Sequence, residues 1–460
     1  MSVVHAFLVL AAAAAPGPRD RVYTADQTSN TVSVFDPATG SLLGLLKLGA
    51  PRSDVLSPLY RGQANVHGLG FSPDHKTLAV VSIATNAVTF VDTATNAVKG
   101  TTYVGRAPHE AFYTPDGKEV WVSVRGEDHV SVIDAATMRE SGRIGVPDGP
   151  GMVRFRRDGA VGFVVSSFTP EAVAVDVKSH QVVARIAVTS PFSPNLDVCS
   201  DDQVWMTHKD VGKVTVIDAR SFKVRTVLDA GPITNHVACV DNTAGKFAFV
   251  TVGGLDAVKV FTREEQPKLV ATIGTGALPH GIWPSDDGTR VFVGLENGDG
   301  VAVLDGVARK ELKRIFGGQA PQALVYVSNA APERNQSHLE PLDQARRPLV
   351  IALRAPSGGG AAGSVAVRQL GVTDALDLLA RGLPADAKFT LAVAQGEAPP
   401  FHDVLPLATF RTNAKGAGQA QALGPIRDIV SPEGAPAPGP RTIVVTGAGG
   451  GPVLLGKVAP

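Results

Sequence analysis

The chain has 460 residues, with 43 Lys and Arg balanced by 43 Asp and Glu, and is only 6% aromatic. Zero formal charge without a basic run excludes a nucleic-acid binder, and the scarcity of Trp and Tyr argues against a stacking platform for carbohydrates. The length allows more than one domain, each with its own core.

Taken in chain order, residues 1–20 (MSVVHAFLVLAAAAAPGPRD) come first. The apolar run over 3–15 followed by small residues reads as a secretory signal, too short to span a bilayer as a helix. The expected location is therefore periplasmic or secreted, with no transmembrane segment.

From residue 21 to 329 a pattern returns every 41 to 44 residues, as in EVWVSVRGEDHVSVIDAATMRESGRIGVPDGPGMVRFRRDG over 119–159. Each unit contains four strand-like segments separated by polar turns, which is the composition of a propeller blade. The third strand ends on Asp36, Asp92, Asp134, Asp218 and Asp305, with Val177 and Thr262 in the two deviant copies. The first strand opens after a recurrent proline, as in Pro108-His109, Pro279-His280 and Pro321-Gln322, and turns at Pro-Asp-Gly signals. The chain enters on a second strand (21–26) and leaves the array on a first strand (321–327). Seven blades follow, the first built from both ends of the array so that the ring closes and hides its sheet edges.

These units resemble the YVTN-type β-propeller repeat. The matching pieces are Val22-Tyr23-Thr24-Ala25, Val130 to Asp134, Pro279-His280-Gly281 and Pro115-Asp116-Gly117. The resemblance implies a propeller fold and leaves function open among binding proteins, surface proteins and enzyme subunits.

The residues opening the seven inner strands are His67, His109, Gly151, Asn195, Asn235 or His236, His280 and Gln322. Inner strands of a propeller start at one mouth of its channel, so His67, His109, Asn195, His236, His280 and Gln322 are the candidate ligand-binding set. Neutral imidazoles are ligands for zinc, copper and iron, which makes His67, His109, His236 and His280 the candidate metal set. Histidine after proline also belongs to the repeat itself and can simply cap an inner strand. Loops on the same face add Glu127, His129, His208, Asp210 and Glu296, read chiefly as solvated loop charges. An insertion over 50–68, carrying Arg52, Asp54, Tyr60 and Arg61, is either a lid or a tolerated surface loop.

Cys199 and Cys239 each sit four residues beyond an asparagine that opens an inner strand (Asn195, Asn235). Equivalent side chains on successive blades point the same way around the ring, which predicts two buried free thiols rather than a disulfide.

Residues 330–347 are polar and Pro-containing and read as a linker. Beyond it, strands are expected over 348–353, 364–370, 388–394, 405–412 and 453–458 and around Val444, with 374–383 either strand or short helix. A small antiparallel β-sandwich over 348–460 is the expected second domain, with no chemistry of its own. No GxSxG, HExxH, phosphate loop, dinucleotide motif or CxxCH is present.

The expected function is an extracytoplasmic binding or scaffold protein that takes a small molecule or protein at the histidine-lined mouth. The alternatives are a metal-dependent propeller oxidoreductase or a propeller lactonase or lyase.

Overall fold

The computed structural model describes residues 15–49, 64–342, 348–370, 373–424, 426 and 440–458. The apolar N-terminal run and most of the 50–68 insertion lie outside them, so the expectations placed there have no structural counterpart.

Seven four-stranded antiparallel sheets form a propeller. Blade 1 is made from both ends of the array, Pro321–Val327 pairing antiparallel with Arg21–Asp26 in the register Arg21↔Val327 to Asp26↔Pro321. The first three strands of each blade lie between neighbouring blades and are covered on both faces. Thr77–Ser82 is buried throughout, whereas the fourth strand of blade 3, Arg139–Gly145, alternates between exposed and covered. Runs such as VWVSV and VSVID suit the first situation, because β-branched side chains pack well on a pleated surface buried on both faces.

The aspartate that ends six of the seven third strands is a turn device. Asp134 Oδ1 accepts from the Thr137 N–H and hydroxyl, both at 2.7 Å, closing the turn into the fourth strand. Blade 4 conforms: its third strand is Glu171–Asp176, and Asp176 holds Ser179 in the same way. The deviant residue assigned there from sequence, Val177, is one position too late, and Thr262 is the true exception.

Inner strands share a second device. Asn65, Ala107, Gly149, Ile233, Leu278 and Ala320 each precede the first residue of an inner strand with φ between 49° and 72°. In the same six blades the strand opens with a bulge, two residues opposing one on the second strand, as between Val66 and Leu69. Blade 5, opening at Pro194-Asn195, has neither. A bulge re-aims the side chain at the extra position, and in blades 2, 3 and 7 that position holds His67, His109 and His280.

The same irregularity corrects the cysteine expectation. Cys199 and Cys239 form a disulfide with Cα atoms 5.4 Å apart. Register shows Val198 opposite Val204 and Cys239 opposite Ala248, and Val204 and Ala248 are themselves equivalent. Cys239 therefore corresponds to Val198, and Cys199 lies one residue further along. One step on a strand reverses the face, so the two side chains point toward each other across adjacent blades. Counting from the asparagines missed this because the blade 6 strand carries the bulge and the blade 5 strand does not.

After the propeller, residues 330–342 run along blades 1 and 2. Leu45 and Glu340 form a two-way backbone bridge, and Asn96 Nδ2 donates to the Ser337 carbonyl at 3.0 Å. The C-terminal domain is one eight-stranded antiparallel sheet, nearly closed on itself, in a barrel- or sandwich-like form. The segment left open between strand and helix is a strand, Thr373–Arg381, paired with Ala362–Leu370 and Gly418–Gly424. Leu353, Leu376, Leu391, Ile443 and Leu454 fill its core. No helix among the described residues is long and apolar enough to cross a membrane.

The domain sits on the face of the propeller where the inner strands begin. Arg381 meets Asp256 at 2.6 Å and Lys415 meets Asp229 at 3.3 Å, while Leu379 and Ala417 pack on Ile233 and Leu278. It thus covers the mouth at blades 6 and 7.

Candidate functional site

The bulged openings bring the candidate histidines together in two pairs. The rings of His67 and His109 lie 4.1 Å apart, centroid to centroid, and those of His236 and His280 lie 4.8 Å apart. Close approach of blades 2 and 3 depends on Gly68, since a Cβ there would collide with the His109 carbonyl and the Glu110 side chain.

Glu110 is the residue that motif reasoning missed. It follows His109 on the inner strand of blade 3 and is fully buried. Its Oε2 accepts the Leu69 N–H at 3.3 Å, while its Oε1 has no hydrogen-bond partner and faces His67 Nδ1, also without one, at 4.0 Å. One donor atom each from His67, His109 and Glu110 falls within 4.8 Å of the others, the one such three-residue set among the described residues. His236 and His280 lie outside that set. His109 Nδ1 bonds the Gly151 carbonyl at 2.7 Å; that bond assigns its proton to Nδ1 and leaves the Nε2 lone pair as the ligand atom.

Electrostatics keep this layer free of imidazolium. Burial, then the fields of His280 and Arg125, lower His67 to about 3. Burial likewise holds His109 and His236 well below the usual histidine range and lowers His280. The Glu110 carboxyl is pushed well above its ordinary value by burial. Neutral imidazoles are the form that binds metal, and a cation would reverse the desolvation that protonates Glu110.

Glu296, on the loop between the second and third strands of blade 7, behaves oppositely. Burial works to raise it, but His280, Lys209 and Gln322 hold it down at about 2. Its Oε2 lies 3.2 Å from His280 Nδ1, at ion-pair distance but without hydrogen-bond geometry.

Other candidates have structural duties. Asn195 accepts the Val237 N–H at 2.9 Å and turns its amide to Met152 Sδ, tying blades 4, 5 and 6. Asn235 donates to the Pro279 carbonyl at 2.8 Å. Gln322 contacts the Ala320 carbonyl at 3.5 Å and faces His280 and Glu296. His129 and His208 are buried rather than solvated: His208 bonds Ser193 and Thr215, and His129 lies 3.4 Å from Glu127. Asp210 accepts from Ser190. Burial follows from the tight packing of these loops between blades, which loop polarity in the sequence does not reveal.

Beneath the histidine layer lies a cavity of about 670 Å³. Glu110, Asn195 and His236 line its inner end, and Ser200, Asp241 and Asp286 line the end opposite the C-terminal domain. Within it Arg154 binds Asp197 at 2.7 Å and lies over the Phe112 and Trp283 rings at 4.8 and 4.6 Å.

No family model matches the sequence, and no curated protein matches it. Solved structures do match, at low identity. Hydrazine synthase of Kuenenia stuttgartiensis is 21% identical with a TM-score of 0.54, over 60% of this chain and 92% of that one. The periplasmic gluconolactonase of Pseudomonas aeruginosa is 18% identical with a TM-score of 0.53, over 67% and 99%. A functionally unknown protein from Desulfotomaculum acetoxidans is 11% identical with a TM-score of 0.58, over the same shares. At these identities the likeness is one of fold.

Proposed function

We propose that this chain is an extracytoplasmic propeller enzyme of the YVTN type that holds a divalent transition metal through His67, His109 and Glu110 and acts on a small molecule. The observation that carries the reading is the pair of orphaned atoms, His67 Nδ1 and Glu110 Oε1, buried and 4.0 Å apart beside His109. Leaving a buried polar atom without a partner costs roughly 1–3 kcal/mol, and a cation meets both atoms at once. Two imidazoles and a carboxylate suit Zn²⁺ or Fe²⁺. Such an ion supplies Lewis acidity toward a substrate oxygen or a bound water.

The chain's own residues supply the rest. The cavity ending at Glu110 admits a small molecule from the face opposite the C-terminal domain. His280, neutral and 3.2 Å from Glu296, is placed to take a proton. The disulfide supports an oxidising compartment, in agreement with the apolar N-terminal run.

Elemental analysis of protein purified from an oxidising compartment tests the reading. One equivalent of metal is expected, lost in Glu110→Gln and His109→Ala and retained in His280→Ala. Wild-type protein that carries no metal and whose melting midpoint ignores added Zn²⁺ sinks it. In that case the binding or scaffold reading stands, in which the mouth side chains serve inter-blade contacts such as that of His109 with Gly151.

A further inference from the structure

Below the histidine layer, blades 3, 4, 5 and 7 place Phe112, Arg154, Asp197 and Trp283 at one register position of their inner strands. Each stands opposite an aromatic residue of the second strand, Trp121, Phe163, Trp205 and Phe292 in turn. Side chains at one position of successive blades leave their sheets on the same side, and these four line the cavity. The Trp283 ring stacks on Phe112 at 6.4 Å, and the Arg154 guanidinium lies 4.6 Å from Trp283 and 4.8 Å from Phe112.

Arg154 is held rigidly on one edge. Asp197 Oδ1 accepts Arg154 Nη2 at 2.7 Å, Nε at 3.1 Å and the Val198 N–H at 2.9 Å. Asp197 Oδ2 accepts the Cys239 N–H at 2.9 Å, so the carboxylate bridges blades 5 and 6 where the disulfide joins them. The third nitrogen of the guanidinium, Nη1, has no partner among the described residues. Trp283 Nε1 has none either, whereas the completely buried Trp121 and Trp205 donate to Glu119 and Gln203. Two donor nitrogens, on side chains in contact, thus line the cavity wall without an acceptor.

The charges around them are already matched. Asp197 meets Arg154, Asp241 pairs with Arg263, and Arg157 offsets Asp286 among the remaining lining residues outside the His67, His109 and Glu110 set. A buried ion is costly without a counter-charge, and here none is left over for a charged ligand. A neutral oxygen acceptor satisfies the donors without that cost. We infer that Arg154 Nη1 and Trp283 Nε1 hold the carbonyl oxygen of a small neutral amide, ester or ketone. Leu69, Met152 and Ile282 offer apolar wall to the rest of the molecule. This position belongs to the cavity read above as the substrate site, and it uses none of the proposed metal ligands.

The test is calorimetric titration of cyclohexanecarboxamide into the full chain stripped with a chelator, and again after Zn²⁺ loading, with tryptophan emission followed in parallel. Of the three tryptophans only Trp283 lines the cavity, so its emission reports where the amide sits. Saturable 1:1 binding with a change in emission is expected in the stripped protein. Trp283→Phe, which keeps a ring on Phe112, and Arg154→Lys, which keeps a cation beside Asp197, each reduce affinity roughly tenfold. Arg139→Gln, exposed on the outer strand of blade 3, leaves affinity unchanged. Melting midpoints equal to wild type show that the variants are folded, and Trp283→Phe alone decides if Arg154→Lys is not. No binding, or variants that bind like wild type, overturn the position. Cyclohexanecarboxylate that binds more tightly than the amide overturns the neutral assignment, and cyclohexanemethanol that binds as tightly overturns the carbonyl assignment. Amide binding in protein that takes up no Zn²⁺ defeats only the metal reading.

Discussion

Arg368, buried completely in the C-terminal domain, reaches Asp299 on the mouth of blade 7 with its Nε 2.8 and 3.1 Å from the two carboxylate oxygens. The same guanidinium donates to the Glu296 carbonyl at 2.6 Å and pairs with Asp377 of its own domain. One side chain thus couples domain docking to the loop that positions the carboxylate beside His280.

Removing it leaves the buried Asp299 and the half-buried Asp377 without their counter-charge, a loss of up to about 3–5 kcal/mol in comparable cases. Arg368→Met is expected to undock the C-terminal domain and to split thermal unfolding into two transitions, with the propeller transition preserved. A single transition at the wild-type midpoint would show that docking does not depend on this arginine.

The disulfide closes a loop of 40 residues between adjacent blades. Chain-entropy arguments give up to about 4 kcal/mol for a loop of that size, less where the ring already constrains the ends. Cys199→Ser should lower the denaturant midpoint, and adding reductant to that variant should produce no further change. If reductant leaves the wild type equally stable, the bridge contributes nothing to the folded state.

The blade count and the joining of 321–327 to 21–26 are legible because the period repeats seven times and an aspartate ends the third strand in six of the seven blades. Each aspartate closes a turn, so it must recur at a fixed offset. The bulge that precedes His67, His109 and His280 has no such residue signature: its left-handed position is filled by Asn, Ala, Gly, Ile and Leu. Register within the inner strands was for that reason invisible, and with it the facing of Cys199 and Cys239. Glu110 was hidden for a related reason. A lone acid after Pro-His reads as a strand residue, and only the approach of blade 2 through Gly68 brings it to His67.

The left-handed positions are themselves testable. Ala107 has φ of 50° ahead of Pro108, and an L-residue there costs roughly 1–2 kcal/mol relative to glycine, offset in part by the greater unfolded-state entropy of glycine. Ala107→Gly is expected to raise stability by up to about 1 kcal/mol, read from denaturant midpoints, while leaving the His67 and His109 layer in place. A loss of stability would mean that the alanine methyl group supports the Gly126 turn it packs against more than the backbone resists it.

His208 provides a pH test away from the proposed metal ligands. Its ring is buried between Ser193 Oγ at 2.8 Å and Thr215 Oγ1 at 2.6 Å. Burial lowers its pKa to about 4, with Asp210 pulling upward and Lys213 downward. The folded pKa therefore lies below the unfolded value of about 6.5. Above pH 6.5 both states are neutral and the full stability is present. As pH falls from about 6.5 toward 4, the unfolded chain takes up a proton that the folded chain refuses, and stability is lost at up to about 1.4 kcal/mol per pH unit. The total attributable to this residue is roughly 3 kcal/mol across that window. His208→Gln keeps hydrogen-bonding capacity between the two hydroxyls and removes the titration. Its stability should start below wild type at pH 7.5 and converge with it, or overtake it, near pH 4.5, as measured by denaturant unfolding at each pH. Parallel curves across the whole range would show that His208 is protonated alike in the folded and unfolded chain.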